Sequence, residues 1–254
     1  MKRQSKKKEP RSSSRALDIV IRVTIVVSAL VAVAGLIVPA EAEPRIKGVL
    51  NAGFVCVEKV FNSELMAPYD IFQHTIFRDT DNYIRCFIVT PDGQPFVTFE
   101  GIRITPDYSF DDVPDIDILV IPSTETSMSD DLKNEKLMQW LKQAVADARY
   151  VVTVCDGAFP LAGTGALDGR VATTFPSDQE SFAEMFPKVD VRRKVMFVVD
   201  GKFITSVGGA LSYQPALFLV EHLYSLESAK RVAKGLVLDW DAGSIPHVET
   251  RPMP

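Results

Sequence analysis

The chain is poor in the residues that build disulfide scaffolds and zinc sites. It has three cysteines and three histidines among 254 residues, and no two cysteines have C-x-x-C spacing. Zinc sites need clusters of these residues at short spacing, so we predict neither a metal site nor a disulfide framework. Cys56 and Cys86 lie in apolar, strand-like runs, where a free cysteine is typically a small packing residue.

Common nucleotide-binding and hydrolase motifs are also missing. The sequence contains no G-x-S-x-G elbow and no G-x-x-x-x-G-K-[ST] loop. The glycines at 163 and 165 fall in a predicted helix-end turn rather than directly after a strand, so they do not form a dinucleotide fingerprint. We therefore expect no organic cofactor.

Charge is distributed unevenly along the chain. Seven of the 28 bases but one of the 33 acids lie in the first 15 residues, which leaves 21 bases against 32 acids, a net charge of −11, in the remainder. An acidic body of this kind argues against nucleic acid as a partner.

An uncharged apolar run at residues 23–40 follows the basic head. Roughly 17–25 apolar residues can span a bilayer, and a basic flank keeps its own side in the cytoplasm. We therefore predict membrane contact through residues 16–40, with the rest of the chain extracytoplasmic. Residues 40–42 have small-residue spacing typical of signal cleavage, so both a retained anchor and cleavage near Ala42, giving a periplasmic or secreted protein, stay open.

The body alternates between strand and helix patterns and is predicted to be an α/β domain over residues 44–240, with a tail at 241–254. Alternation of this kind favours a parallel or mixed sheet covered on both faces. The predicted strands are residues 53–57, 83–89, 117–122, 151–154, 170–174, 195–199 and 203–205, with shorter strand signals in 97–104. The predicted helices are residues 65–75, 132–148, 215–224 and 228–238.

Cys155 has the most informative surroundings in the sequence. A β-branched apolar run ends at this cysteine, and Asp156, Gly157 and Ala158 follow it. This pattern predicts a buried parallel strand that turns sharply into a helix, with the thiol at the carboxyl edge of the sheet, where α/β folds bind ligands. We expect the start of that helix to favour a thiolate.

Two acids are candidate partners for the thiol. Glu64 opens a helix after the first strand, where a protonated carboxyl could donate a hydrogen bond to a thiolate, although a helix-start acid is equally explained by the helix dipole. Asp156 offers its backbone N–H to an anion. Its carboxylate would raise the thiol pKa, so it either acts in the site or hydrogen-bonds away from it.

Loop residues at the same edge complete the predicted site. Ser123 and Thr124 follow a buried strand and could supply a second backbone donor, and Gly208 and Gly209 permit close approach of a substrate. The histidines at 74, 222 and 247 have no position that suggests a base for Cys155.

These segments resemble the DJ-1/PfpI family of the class I glutamine-amidotransferase-like superfamily. The matching pieces are residues 62–72, the cysteine elbow, residues 166–174 and residues 200–209, in family order. Members related to isonitrile hydratase and to the sensing domains of AraC-type regulators are most similar. The resemblance implies a flavodoxin-like three-layer sandwich with a mostly parallel sheet, preceded here by an N-terminal apolar helix. It also implies Cys155 as the elbow cysteine, Glu64 as its acidic neighbour, and a homodimer.

One departure from the family limits the expected chemistry. Many relatives carry a histidine directly after the cysteine or after a Thr-Thr pair, whereas this chain has Asp156 and Phe175 there. Peptidase and glutamine amidotransfer activity are therefore not expected. The leading hypothesis is addition of water or a thiol to a small isonitrile, aldehyde or dicarbonyl. The alternatives are a cysteine redox sensor and a non-catalytic small-molecule binding module.

Overall fold

A computed structural model of the chain describes residues 46–254. The basic head and apolar helix predicted within residues 1–43 lie outside the described residues. Among residues 46–254, no helix is both long and apolar enough to cross a membrane.

The described residues alternate between strands and helices, as the sequence predicts. The strands are β1 Leu50–Val55, β2 Ile84–Thr90, β3 Phe96–Val97, β4 Arg103–Ile104, β5 Tyr108–Ser109, β6 Ile118–Ile121, β7 Tyr150–Val154, β8 Val171–Ala172, β9 Asp190–Val191, β10 Phe197–Asp200, β11 Phe203–Ser206 and β12 His247–Arg251. The helices are α1 Asn62–His74, α2 Glu135–Asp147, α3 Ala158–Gly163, α4 Gln179–Met185, α5 Tyr213–Leu223 and α6 Leu226–Gly235.

An eight-stranded, mostly parallel sheet forms the centre of the domain. Its strand order is β12-β10-β11-β7-β6-β1-β2-β5, and within it the β10–β11 pair is antiparallel. One face packs against α1, α5 and α6, and the other packs against α2, α3 and α4. The central strands are therefore covered on both sides, which explains their continuous apolar runs. The predicted α/β sandwich is confirmed.

The parallel central strands bring separate parts of the chain to one edge. β6 pairs with both β1 and β7 in parallel, and Ile121 lies opposite Thr153. The carboxyl ends of these three strands consequently lie side by side. Glu64, Ser123 and Cys155 follow them in turn, so the fold places all three at this edge.

The prediction of a separate tail at residues 241–254 was wrong, because β12 joins the central sheet beside β10. Arg251 donates from Nη1 to both carboxylate oxygens of the fully buried Asp200, at 3.0 and 2.9 Å. Tyr150 donates its hydroxyl to the carbonyl of Pro254 at 2.9 Å. β12 is half exposed and rich in polar residues, so it lacks the apolar run that identifies the central strands.

Candidate functional site

Cys155 lies at a strained bend between β7 and α3. Its φ of +57° is in the left-handed region, and it begins a 3₁₀ turn, Cys155–Gly157. A non-glycine residue there costs about 1–2 kcal/mol, and strain of this kind is concentrated at functional sites. Gly157 permits the turn, because a Cβ at this position would overlap the carbonyl oxygen of Ile121. The thiol residue is buried, with 7% of its surface exposed.

Glu64 lies in the first turn of α1 and is 4% exposed. The backbone N–H of Gly209 donates to its Oε1 at 2.8 Å, and the Ser212 hydroxyl donates to its Oε2 at 3.3 Å. Gly208 lies against both the carboxyl and Cys155. A Cβ on Gly208 would overlap the Cβ of Cys155 and lie 2.7 Å from Glu64 Oε2. The structure thus brings together four of the predicted site residues, namely Glu64, Cys155, Gly208 and Gly209.

Burial raises the pKa of Glu64 to about 7. The hydrogen bonds from Gly209 and Ser212 oppose this shift, since they favour the carboxylate, whereas the nearby charge of Asp156 adds to it. At neutral pH the carboxyl therefore populates both protonation states. A group of this kind can both give and take a proton near pH 7.

The net shift of the Cys155 pKa is opposite to the one expected from the start of the following helix alone. Burial raises the pKa of the Cys155 thiol, and the charges of Glu64 and Asp156 raise it further. The Ser123 hydroxyl and the Asp156 backbone N–H only partly oppose these effects. These two donors do not offset burial and two nearby carboxylates. Cys155 is therefore a neutral thiol at rest.

The carboxyl of Asp156 turns away from the thiol. Its Oδ1 accepts a hydrogen bond from the Thr174 hydroxyl at 2.8 Å, and the same hydroxyl lies 3.0 Å from the Cys155 carbonyl oxygen. Burial raises the pKa of Asp156 to about 6, opposed by Thr174 and reinforced by the charge of Asp178. This geometry favours a positioning role for the Asp156 side chain, which ties the elbow to the loop after β8.

Thr124 does not offer the predicted backbone donor. Its N–H donates to the Ser127 hydroxyl at 2.8 Å, and its own hydroxyl donates to the buried carboxylate of Asp131. The Ser123 hydroxyl, in contrast, is fully buried, and apart from its interaction with the Cys155 thiol it has no hydrogen-bond partner among residues 46–254. Ser127 and Ser212 were missed by sequence reasoning, because neither lies in a pattern that marks a site.

The three histidines have other hydrogen bonds. His74 contacts the Asp70 carbonyl, His222 the Pro254 carbonyl and His247 the Ile245 carbonyl. Glu64 is accordingly the proton acceptor that the structure places beside Cys155. In the described part of the chain, no group of three or more histidine, cysteine or acidic residues could hold a metal ion.

The raised pKa of Glu64 makes fold stability pH-dependent. The folded state holds this proton more tightly than the unfolded chain, whose glutamate titrates near 4.5. The contribution of Glu64 to the free energy of unfolding is thus fully present below pH 4.5 and is lost as the pH rises through about 7. We expect it to be on the order of 3 kcal/mol, at about 1.4 kcal/mol per pKa unit.

Denaturant unfolding between pH 4 and 8 checks this expectation. Glu64→Gln should weaken the decline in the free energy of unfolding as the pH rises. Glu227 is an exposed acid in the first turn of α6, so Glu227→Gln should leave this decline unchanged. Equal declines in wild type and Glu64→Gln would contradict the assignment. Asp156, with its pKa also raised, accounts for the remaining decline.

A family model and several known proteins match most of the described residues. The model of the DJ-1/PfpI family matches residues 51–221. Isonitrile hydratase of Pseudomonas putida is 26% identical over 184 residues, covering 72% of this chain and 76% of that protein. The HTH-type transcriptional regulator CdhR of Pseudomonas aeruginosa is 27% identical over 154 residues, 61% of this chain but 45% of the regulator.

Solved structures show the same fold. A ThiJ/PfpI family protein from Pseudomonas syringae superposes with a TM-score of 0.69 at 20% identity, covering 79% of each chain. Drosophila melanogaster DJ-1beta superposes with a TM-score of 0.65 at 21% identity, covering 76% of this chain and all of that one. With a family match that extends from β1 into α5, the chain belongs to the DJ-1/PfpI family.

Proposed function

We propose that this protein hydrates a small carbon electrophile at Cys155, and that isonitriles are its substrate class. The observation that carries the proposal is the buried Glu64 carboxyl, with its pKa near 7, beside a thiol at a strained elbow. The similarity to isonitrile hydratase supports the substrate class.

In the first half of the reaction, the sulfur of Cys155 attacks the terminal carbon of the isonitrile. The S–H proton passes to the Glu64 carboxylate as the S–C bond forms. Glu64 then returns this proton to the same carbon. The product is a thioformimidate, in which a CH=N–R group is bound to the sulfur. No oxidant or reductant is needed, because the sulfur and the proton of the thiol both add to the same carbon.

In the second half, water attacks the thioformimidate carbon. Glu64 takes a proton from the water as the C–O bond forms and passes it to the substrate nitrogen. The C–S bond then breaks, the remaining hydroxyl proton returns through Glu64 to sulfur, and an N-substituted formamide leaves. The net reaction adds one water to the isonitrile and regenerates the thiol.

A trapping experiment tests the proposal. The full-length protein is incubated with benzyl isocyanide, product is followed by NMR, and samples quenched early are analysed by peptide mass spectrometry. We expect N-benzylformamide, and a mass increase equal to one isocyanide on the peptide that contains Cys155. Absence of both, in protein whose Cys155 still reacts with iodoacetamide under denaturing conditions, would overturn the proposal. Aldehydes and dicarbonyls are assayed in parallel as competing substrate classes.

The proposal names a small molecule as the partner of the site, without a cofactor. A redox sensor is less well supported, because burial and two neighbouring carboxylates raise the pKa of Cys155, and oxidation requires the thiolate. A homodimer, implied by the family resemblance, stays a prediction.

We also propose that the domain is exported. The support is the sequence pattern alone, namely the basic head followed by the uncharged run at residues 23–40. A pair of topology reporters fused after Pro254 tests this. We expect activity from alkaline phosphatase, which folds outside the cytoplasm, and none from a cytoplasmic reporter, and the reverse result would contradict export.

A further inference from the structure

We infer that the Ser123 hydroxyl is a second hydrogen-bond donor to the reacting group on Cys155. It takes the place of the Thr124 backbone N–H, which donates its hydrogen bond to Ser127 instead. The inference rests on the proposed function for the identity of the reacting group, but its placement depends only on the geometry of the site.

The sheet positions Ser123 beside the elbow. β6 and β7 run in parallel with Ile121 opposite Thr153, and two further residues along each strand bring Ser123 level with Cys155. The elbow packs directly on this segment, because a Cβ on Gly157 would lie 2.9 Å from the carbonyl carbon of Ile121. The two side chains thus emerge from adjacent strand ends at the same edge.

The backbone of Ser123 is fixed, while its hydroxyl faces the Cys155 thiol and no other partner. Its carbonyl accepts a hydrogen bond from the Phe61 N–H at 3.1 Å, which secures the residue to the segment before α1. The side chain has no exposed surface, and apart from the thiol Oγ has no hydrogen-bond partner among the described residues. A buried hydroxyl that lacks a full hydrogen-bond partner is costly to the fold. A donor held in this way beside a reactive thiol is suited to a substrate atom.

The neighbouring amide cannot serve the same purpose. The Thr124 N–H is bonded to Ser127 Oγ, and Asp131 in turn accepts from the Thr124 hydroxyl, so the loop is held in this arrangement. The remaining donors next to the sulfur are the Asp156 N–H, which acts on the thiol directly, and the Ser123 hydroxyl. Together they would place two donors at the reacting group.

The chemistry defines what the hydroxyl does. When water attacks the thioformimidate, negative charge develops on the substrate nitrogen. A hydrogen bond from Ser123 to that nitrogen lowers the energy of this charge and makes the carbon more electrophilic. Ser123 keeps its proton throughout, and no bond to its oxygen forms or breaks. Its hydroxyl would likewise stabilise the negative charge that develops on sulfur as the S–H proton passes to Glu64.

Thr153 supplies a matched control. Its hydroxyl is also buried without a partner among residues 46–254, and it lies on β7 two residues before the thiol. Thr153 is not among the groups that shift the pKa of the Cys155 thiol. Thr153→Val and Ser123→Ala therefore both remove a buried hydroxyl, and only the second removes one that interacts with the Cys155 thiol.

The experiment compares the two variants in the full-length protein. We expect Ser123→Ala to lower kcat for benzyl isocyanide by about 10²-fold, with little change in KM and with Tm unchanged or raised. It should also raise the pKa of Cys155 measured by pH-dependent alkylation with iodoacetamide. Thr153→Val should leave both readouts at the wild-type value.

Two results would overturn the inference. One is an alkylation profile in Ser123→Ala that matches wild type. The other is a loss of kcat that Thr153→Val shares, or that accompanies a fall in Tm. If wild type hydrates no isonitrile, the proposed function fails, and the alkylation profile still decides the role of Ser123.

Discussion

Replacing Cys155 with alanine is expected to reduce isonitrile hydration to the uncatalysed rate, and Glu64→Gln to lower kcat by about 10²–10⁴-fold. Cys155→Ala removes the atom that bonds to the substrate. Glu64→Gln keeps the shape and can still accept the Gly209 hydrogen bond, but it cannot carry a proton. Formamide production followed by NMR at a fixed pH measures both effects.

The pH profile separates a proton-transfer role from a structural one. In the reactive state, the Cys155 thiol and the Glu64 carboxyl together carry one proton. Wild-type kcat/KM should therefore rise with pH through about 7, where Glu64 loses its proton, and fall again when the thiol ionises. In Glu64→Gln, the rise of kcat/KM near pH 7, the limb assigned to Glu64, should be absent. The surface variant Glu227→Gln should keep it, and retention of the limb in Glu64→Gln would contradict the mechanism.

Gly208→Ala is expected to destabilise the fold and disable the site together. The added Cβ would overlap the Cβ of Cys155 and approach Glu64 Oε2 to 2.7 Å. The backbone, with φ 79° and ψ −156°, also lies in a region that is essentially restricted to glycine. Overpacking of this kind costs about 1–3 kcal/mol. Displacement of the thiol from the carboxyl by about 1 Å would lower turnover by about 10²-fold.

The next residue along the chain provides the control for this variant. Gly209 also has a positive φ, +60°, but a Cβ there would meet nothing within 4 Å. Gly209→Ala keeps the N–H that donates to Glu64, so we expect small losses in Tm and turnover. Thermal unfolding and kcat are measured for both variants. Equal losses would show that backbone strain, rather than contact with Cys155 and Glu64, determines the effect.

The elbow and its acidic neighbour could be predicted because they leave local signals. The strand before Cys155 is wholly buried and rich in β-branched residues, and Gly157 follows where the chain must pass close to β6. The sign of the thiol pKa shift could not be predicted. Besides the adjacent Asp156, it depends on how deeply the elbow is buried and on the carboxylate of Glu64 from a distant segment, neither of which the local sequence records.

Other features were missed for related reasons. α4, Gln179–Met185, has seven residues and too few apolar positions to show a clear helical period, although Phe182 packs in the core. Ser212 reaches Glu64 from 148 positions away in the chain, so only the fold joins them. Sequence reasoning therefore singled out Cys155 and Glu64, whereas their hydrogen-bond partners required the structure.

The placement of β12 has a consequence for biosynthesis. β10 lies between β11 and β12, so a nascent chain that has not yet reached residue 247 presents β10 as an open sheet edge. It also leaves the buried carboxylate of Asp200 without Arg251, its closest cation. Open edges pair readily with other chains. Ribosomal stalling or proteolysis ahead of β12 would thus yield fragments prone to self-association, and native folding is completed only after translation has passed Arg251.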